Sequence, residues 1–115
     1  MESVSYEELP RLLHPTITNP ERWKVARYEV ELDLDTSLPS SITIELFSTS
    51  NEVKRLRFDE PQLAEFGPFQ IPQITSIYIA NTSSLGWESS RSIEVGGWFE
   101  DRDVLFWAAG VTEIA

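Results

Sequence analysis

The chain has no cysteine and a single histidine, His14, among its 115 residues. The lack of cysteine excludes disulfides, a reactive thiol, and zinc or iron–sulfur sites that use thiolate ligands. No apolar run approaches the roughly 18 residues that a membrane-spanning helix needs, the longest being residues 104–110. Motifs for phosphate loops, nucleophile-elbow serines and dinucleotide sites are also missing. We therefore predict no catalytic residue, no metal ligand, no cofactor and no membrane partner.

Basic residues are scarce, with 9 Lys and Arg against 19 Asp and Glu, giving a formal charge of -10 at pH 7. Binding to a phosphate backbone needs clustered Lys and Arg, so we predict no nucleic-acid partner. An acidic surface can instead attract a basic protein, although it can equally serve solubility alone. The first ten residues do not resemble a secretory signal, which leads us to expect a cytoplasmic protein.

The first long pattern is an alternation of period two over residues 25–35, which is typical of a strand with one face buried. The apolar positions, expected to face the core, are Tyr28, Val30, Leu32 and Leu34. The acidic positions, expected to face water or cross-strand bases such as Lys54 or Arg57, are Glu29, Glu31, Asp33 and Asp35. Four like charges on one strand face repel each other, which favours a solvated face over a metal site.

The remaining patterns also favour strands over helices. Further strands are predicted at residues 42–47, 53–58, 74–80, 91–95, 98–100 and 104–109, with a two-residue hairpin turn at Gly96-Gly97. We predict one all-β domain over residues 1–115, an antiparallel sandwich or partly open barrel of six to seven strands. Residues 1–24 are expected to form a helical or irregular segment packed on it. Ser5 and Glu8 resemble a capping box, but Pro10 argues against a helix in that register. The alternative places Pro10 in the first turn of a short helix that ends before Pro15.

A few side chains are candidates for contacts with a partner. Trp87 and Trp98 stand beside glycines, where an aromatic ring can stay partly exposed and anchor an interface. Phe66 and Phe69 lie in the proline-rich connection of residues 59–73, where they either form an apolar patch or close one end of the core. His14 has no orienting acid in view and is interpreted as a surface or helix-end residue.

Taken together, these features predict a non-enzymatic interaction module, of the inhibitor or immunity type, that binds a basic protein. Its acids on the first strand would attract the partner, and the aromatic side chains would anchor it. The alternative is a domain that binds a small ligand or a carbohydrate through Trp87 and Trp98. The sequence leaves the oligomeric state open.

Overall fold

The structure, a computed structural model, describes residues 4–5, 7–36, 38–63, 76–98 and 104–114. Within those ranges there are eight strands: β1 (Trp23–Leu32), β2 (Pro39–Ser48), β3 (Val53–Asp59), β4 (Gln62–Leu63), β5 (Ile77–Asn81), β6 (Ile93–Gly97), β7 (Val104–Ala108) and β8 (Gly110–Ile114). They form two antiparallel four-stranded sheets with the orders β1-β2-β3-β8 and β4-β7-β6-β5. The prediction of an all-β chain is therefore confirmed.

The inner faces of the strands follow the alternation read from the sequence. In β2, the side chains of Ile42, Ile44 and Leu46 are completely buried. In β1, Tyr28 and Val30 are half-buried and pack against the same core. β-branched and aromatic residues suit such a pleated, half-buried surface, so local preference and burial agree here.

The core lies between the two sheets and takes side chains from both. An aromatic contact joins Phe58 of β3 to Phe106 of β7, with ring centroids 5.1 Å apart and planes at 83°. This edge-to-face arrangement is the one that aromatic quadrupoles favour. The other fully buried members are Val25, Ile42, Ile44, Leu46, Leu56, Ile79, Val95 and Ala108.

The chain crosses from one sheet to the other between β3 and β4, and again between β7 and β8. At the first crossing Glu60 adopts a left-handed backbone conformation, with φ of 49°. At the second crossing the N–H of Ala109 donates to the carbonyl oxygen of Asp59 at 2.9 Å. The predicted apolar strand 104–109 is confirmed as β7, which lies between β4 and β6. The second crossing separates β7 from β8, a strand that was not predicted from the sequence.

The N-terminal segment covers the outer side of the second sheet. Its helix α1 (Leu9–Leu12) buries Leu9 and Leu12 against Tyr78 and Ala80 of β5. Upstream of α1, the Ser5 hydroxyl accepts the Glu8 N–H at 3.3 Å, but Glu8 and not Ser5 is the N-cap, so the capping-box register is wrong. Pro10 lies in the first turn of α1, where a missing N–H does no harm. The second sheet is therefore covered on both of its faces.

The predicted hairpin turn at Gly96-Gly97 is wrong. Both glycines lie within β6, where Gly96 is opposite Tyr78 of β5. A Cβ atom on Gly96 would lie 2.5 Å from Cε2 of Tyr78, so the ring can occupy this place only above a glycine. Two adjacent glycines can form a tight turn, but here the close approach of the Tyr78 ring accounts for a glycine at position 96.

His14 follows α1 and holds the segment against the edge of the second sheet. Its N–H donates to the carbonyl oxygen of Ile79 at 2.8 Å, and Nδ1 accepts the N–H of Thr16 at 3.2 Å. The side chain is half-buried, and burial lowers the pKa of His14 below its usual value of 6.5 because it penalises the charged imidazole.

We therefore expect an NMR titration of the single imidazole to give a midpoint below 6.5. Between the lowered pKa of His14 in the folded protein and its pKa in the unfolded chain, the unfolded chain binds more protons. The free energy of unfolding therefore decreases as the pH falls through this window. In a His14→Asn variant, the free energy of unfolding should change less across that window. A midpoint at or above 6.5 would contradict the burial of this side chain.

Candidate interaction surface at the end of the first hairpin

The hairpin that joins β1 to β2 closes through a turn built on Asp33. The Oδ1 atom of Asp33 accepts the N–H of Asp35 at 2.8 Å and the N–H of Thr36 at 3.2 Å. The N–H of Asp33 donates to the carbonyl oxygen of Leu38 at 2.9 Å. Aspartate commonly starts turns by accepting N–H groups of the residues that follow it. As a result, β1 ends at Leu32 and does not continue to residue 35 as predicted.

Three leucines at this end of the hairpin project into solvent. The exposed fractions are 53% for Leu32, 95% for Leu34 and 64% for Leu38. The prediction that Leu32 and Leu34 face the core is wrong. The pairing of β1 with β2 shifts between Glu31 and Leu32, and the Asp33 turn follows directly after it. These leucines are the possible contact residues that the sequence analysis missed. The signal that could have revealed them is the run of turn-forming residues from Asp33 onward.

The four acids predicted as partner contacts are exposed, as that prediction needs. They are Glu29, Glu31, Asp33 and Asp35. Glu29 and Glu31 lie opposite Thr43 and Ser41 of β2, and the Ser41 hydroxyl donates to the Glu31 carboxylate at 3.1 Å. We refer to residues 29–36 and 38 as the acidic hairpin end, since the acids and the three exposed leucines lie there together.

The arginines of the first sheet form ion pairs with other acids. Arg27 and Arg55 approach the carboxylate of Glu45, with N···O distances of 3.4 and 3.8 Å. Arg57 pairs with Asp59 of its own strand at 3.5 Å. No ion pair among the described residues includes an acid of the acidic hairpin end. The negative charge there is therefore not offset by a local ion pair.

Lys54, the other cross-strand base considered in the sequence analysis, reaches the opposite side of the first sheet. Its Nζ donates to the carbonyl oxygen of Thr16 at 2.7 Å and lies 5.2 Å from the ring centroid of Trp23. It also lies 3.7 Å from the carboxylate of Glu113. Lys54 thus ties the N-terminal segment to the first sheet and does not face the acids of β1.

The outer face of the first sheet has one shallow depression among the described residues, with room for about one water molecule. Its lining residues are Arg27, Tyr28, Glu29, Thr43, Glu45 and Arg55. Pockets for small organic ligands enclose far larger volumes. This depression is therefore too small to hold an organic ligand.

None of the four tryptophans lies at the acidic hairpin end, because they belong either to the second sheet and the loops beside it or to the core. Trp87 is half-buried, and the guanidinium of Arg91 lies between two indole rings, 4.7 Å from that of Trp87 and 4.3 Å from that of Trp107. Trp98 is half-buried and packs against the cluster formed by α1 and β5. Trp107 is buried, and its indole N–H donates to the carboxylate of Glu94 at 3.0 Å. Phe66 and Phe69 lie outside the described residues.

The second sheet also holds a completely buried acid, Glu94 of β6. Its carboxylate accepts hydrogen bonds from the Tyr78 hydroxyl at 2.7 Å and the Trp107 indole N–H at 3.0 Å. The backbone N–H of Val4 approaches its two oxygens at 3.1 and 3.3 Å. Glu94 therefore fastens the N-terminal segment to the sheet. It is sequestered from solvent, so this geometry serves the fold and offers no surface to a substrate.

The described residues contain no cluster of three or more His, Asp or Glu side chains that could hold a metal ion. Among the described residues, no helix is long and apolar enough to cross a membrane. Comparisons with known protein families, characterised proteins and solved structures found no match to this chain. The function must therefore be argued from the surface itself.

Proposed function

We propose that this protein is a non-enzymatic interaction module that binds a basic partner protein through the acidic hairpin end. The observation that carries the proposal is the position of Glu29, Glu31, Asp33 and Asp35, which are all exposed on one hairpin. Their charge is not offset by an ion pair among the described residues. An inhibitor or immunity-type protein is one form that such a module takes.

The charge of the chain supports this assignment. The net charge of -10 creates a field that attracts basic proteins over a distance and repels phosphate backbones. Complementary charge mainly raises the rate of association, and it discriminates against partners of the same sign. The acidic hairpin end would therefore steer the encounter, and binding should weaken as salt screens the field.

The alternative proposal, binding of a small ligand or carbohydrate through Trp87 and Trp98, has less support. One indole face of Trp87 stacks on Arg91, and Trp98 packs against the α1 cluster. An exposed pair of rings with a pocket between them would have favoured it.

The test compares three forms of the protein as immobilised bait in lysate of the source organism. The first is the natural chain, and the second carries Glu29→Gln, Glu31→Gln, Asp33→Asn and Asp35→Asn. These changes keep the oxygen that accepts from Ser41 and the one that holds the Asp33 turn. The third is a control of equal charge, which carries Gln at the exposed positions Glu7, Glu21, Glu60 and Glu88.

We expect the natural bait to retain a basic protein at low salt and to release it at high salt. The hairpin variant should lose roughly tenfold or more in affinity for that protein, whereas the control should lose less. Equal losses in both variants would contradict the assignment to the hairpin. A natural bait that retains no basic protein at low salt would overturn the proposed function.

A further inference from the structure

The acidic hairpin end also carries three exposed leucines, which its charge alone does not explain. Leu34 is 95% exposed and Leu38 is 64% exposed, and neither is needed to fill the core. Leu32 adds a third apolar side chain where β1 ends. Single exposed leucines are ordinary, but exposed apolar side chains grouped on one surface element often mark an interaction site.

The charge around the leucines indicates the kind of occupant. A second copy of this chain would bring the same acids and a charge of -10 against them, so self-association is opposed. An anionic membrane or nucleic acid would be repelled in the same way. A protein segment with both apolar and basic side chains would satisfy the two parts of the surface together.

The described residues of the turn are also joined by hydrogen bonds. Asp33 accepts two backbone N–H groups, and its own N–H is bound to Leu38 across the turn. Backbone groups that are hydrogen-bonded before binding lose less conformational entropy when a partner covers the leucines. These hydrogen bonds therefore favour binding at the hairpin end.

We propose that the acidic hairpin end docks a segment of the partner that carries large apolar side chains together with Lys or Arg. The apolar side chains cover Leu32, Leu34 and Leu38, and the basic groups meet the surrounding acids. This inference rests on the proposed function and adds to it the chemistry of the partner. It predicts that affinity depends on the leucines even when salt screens the charges.

The test uses two synthetic peptides of equal length and equal charge. One peptide combines lysine with leucine in an amphipathic pattern, and the other has serine in place of each leucine. Binding to the natural chain, and to a Leu34→Ser, Leu38→Ser variant, is measured by fluorescence anisotropy at low and high salt. Val53→Thr is the matched control, because Val53 is 62% exposed on β3, away from the hairpin end.

We expect the lysine–leucine peptide to bind the natural chain roughly tenfold more tightly than the lysine–serine peptide. The leucine variant should remove that difference, and Val53→Thr should preserve it. If both peptides bind the natural chain equally, or if the leucine variant keeps the difference, the docking inference is overturned while the proposed function stands. If neither peptide binds at low salt, both are overturned.

Discussion

Glu94→Ala is expected to lower the free energy of unfolding by about 3–5 kcal/mol. The side chain is fully buried, and its carboxylate is the acceptor for Tyr78, Trp107 and the backbone N–H of Val4. Removing it leaves three donors without this acceptor, and each unsatisfied buried group costs about 1–3 kcal/mol. The variant should also loosen the N-terminal segment from the second sheet.

Urea denaturation of the two alanine variants Glu94→Ala and Glu88→Ala measures this effect, because Glu88 is an exposed acid of the same region. We expect Glu88→Ala to change the free energy of unfolding by less than about 0.5 kcal/mol. Hydrogen exchange at residues 4–13 should rise in the Glu94 variant alone. If the two variants had equal stability, Glu94 would not fasten the segment.

Phe58→Ala is expected to lower the free energy of unfolding by a similar amount, about 3–5 kcal/mol. Phe58 and Phe106 are both 0% exposed, and their rings meet edge to face across the two sheets. Truncation removes the aromatic contact and leaves a cavity that β3 and β7 can fill only by moving together. The rest of the core resists such a shift because protein interiors are close-packed.

The comparison with Phe58→Leu separates volume from the aromatic contact. Leucine fills most of the space, so we expect a smaller loss of about 1–2 kcal/mol. Thermal and urea unfolding of the three forms supply the values. A loss below about 1 kcal/mol for Phe58→Ala would contradict a close-packed core at this position.

The inner faces of the strands could be predicted from the sequence, because apolar residues recur there at every second position and the same positions are buried in the structure. Ile42, Ile44 and Leu46 alternate with polar residues, and all three are buried in β2. Of the two helix registers open to the sequence, the structure has the one that places Pro10 in the first turn of α1, where proline removes no needed donor. In these places local chemistry alone decides the structure.

The same alternation does not predict that Glu94 is buried, because the pattern of one strand does not show which other segment covers its outer face. Ile93 and Val95 face the core, so the pattern places Glu94 toward water. The N-terminal segment, which is distant in sequence, covers that face and supplies a donor from Val4. A contact between residues 90 positions apart in the chain cannot be predicted from the sequence pattern around either residue.

The prediction for the leucines of the hairpin end is wrong for the opposite reason, because local structure interrupts a longer alternating pattern. Leu32 and Leu34 continue the alternation of β1. The pairing with β2 shifts after Glu31, however, and the side chain of Asp33 then binds the backbone that follows it. The exposure of the acids could therefore be predicted from the sequence, whereas the exposure of the leucines could not.

The most direct test of the central claim is to map the lysine–leucine peptide on the ¹⁵N-labelled natural chain by chemical-shift perturbation. The account predicts that the largest changes fall on amides of residues 29–36 and 38, and that they shrink in the Leu34→Ser, Leu38→Ser variant. Changes centred on Trp87 and Trp98, or spread evenly over exposed acids in both sheets, would contradict it.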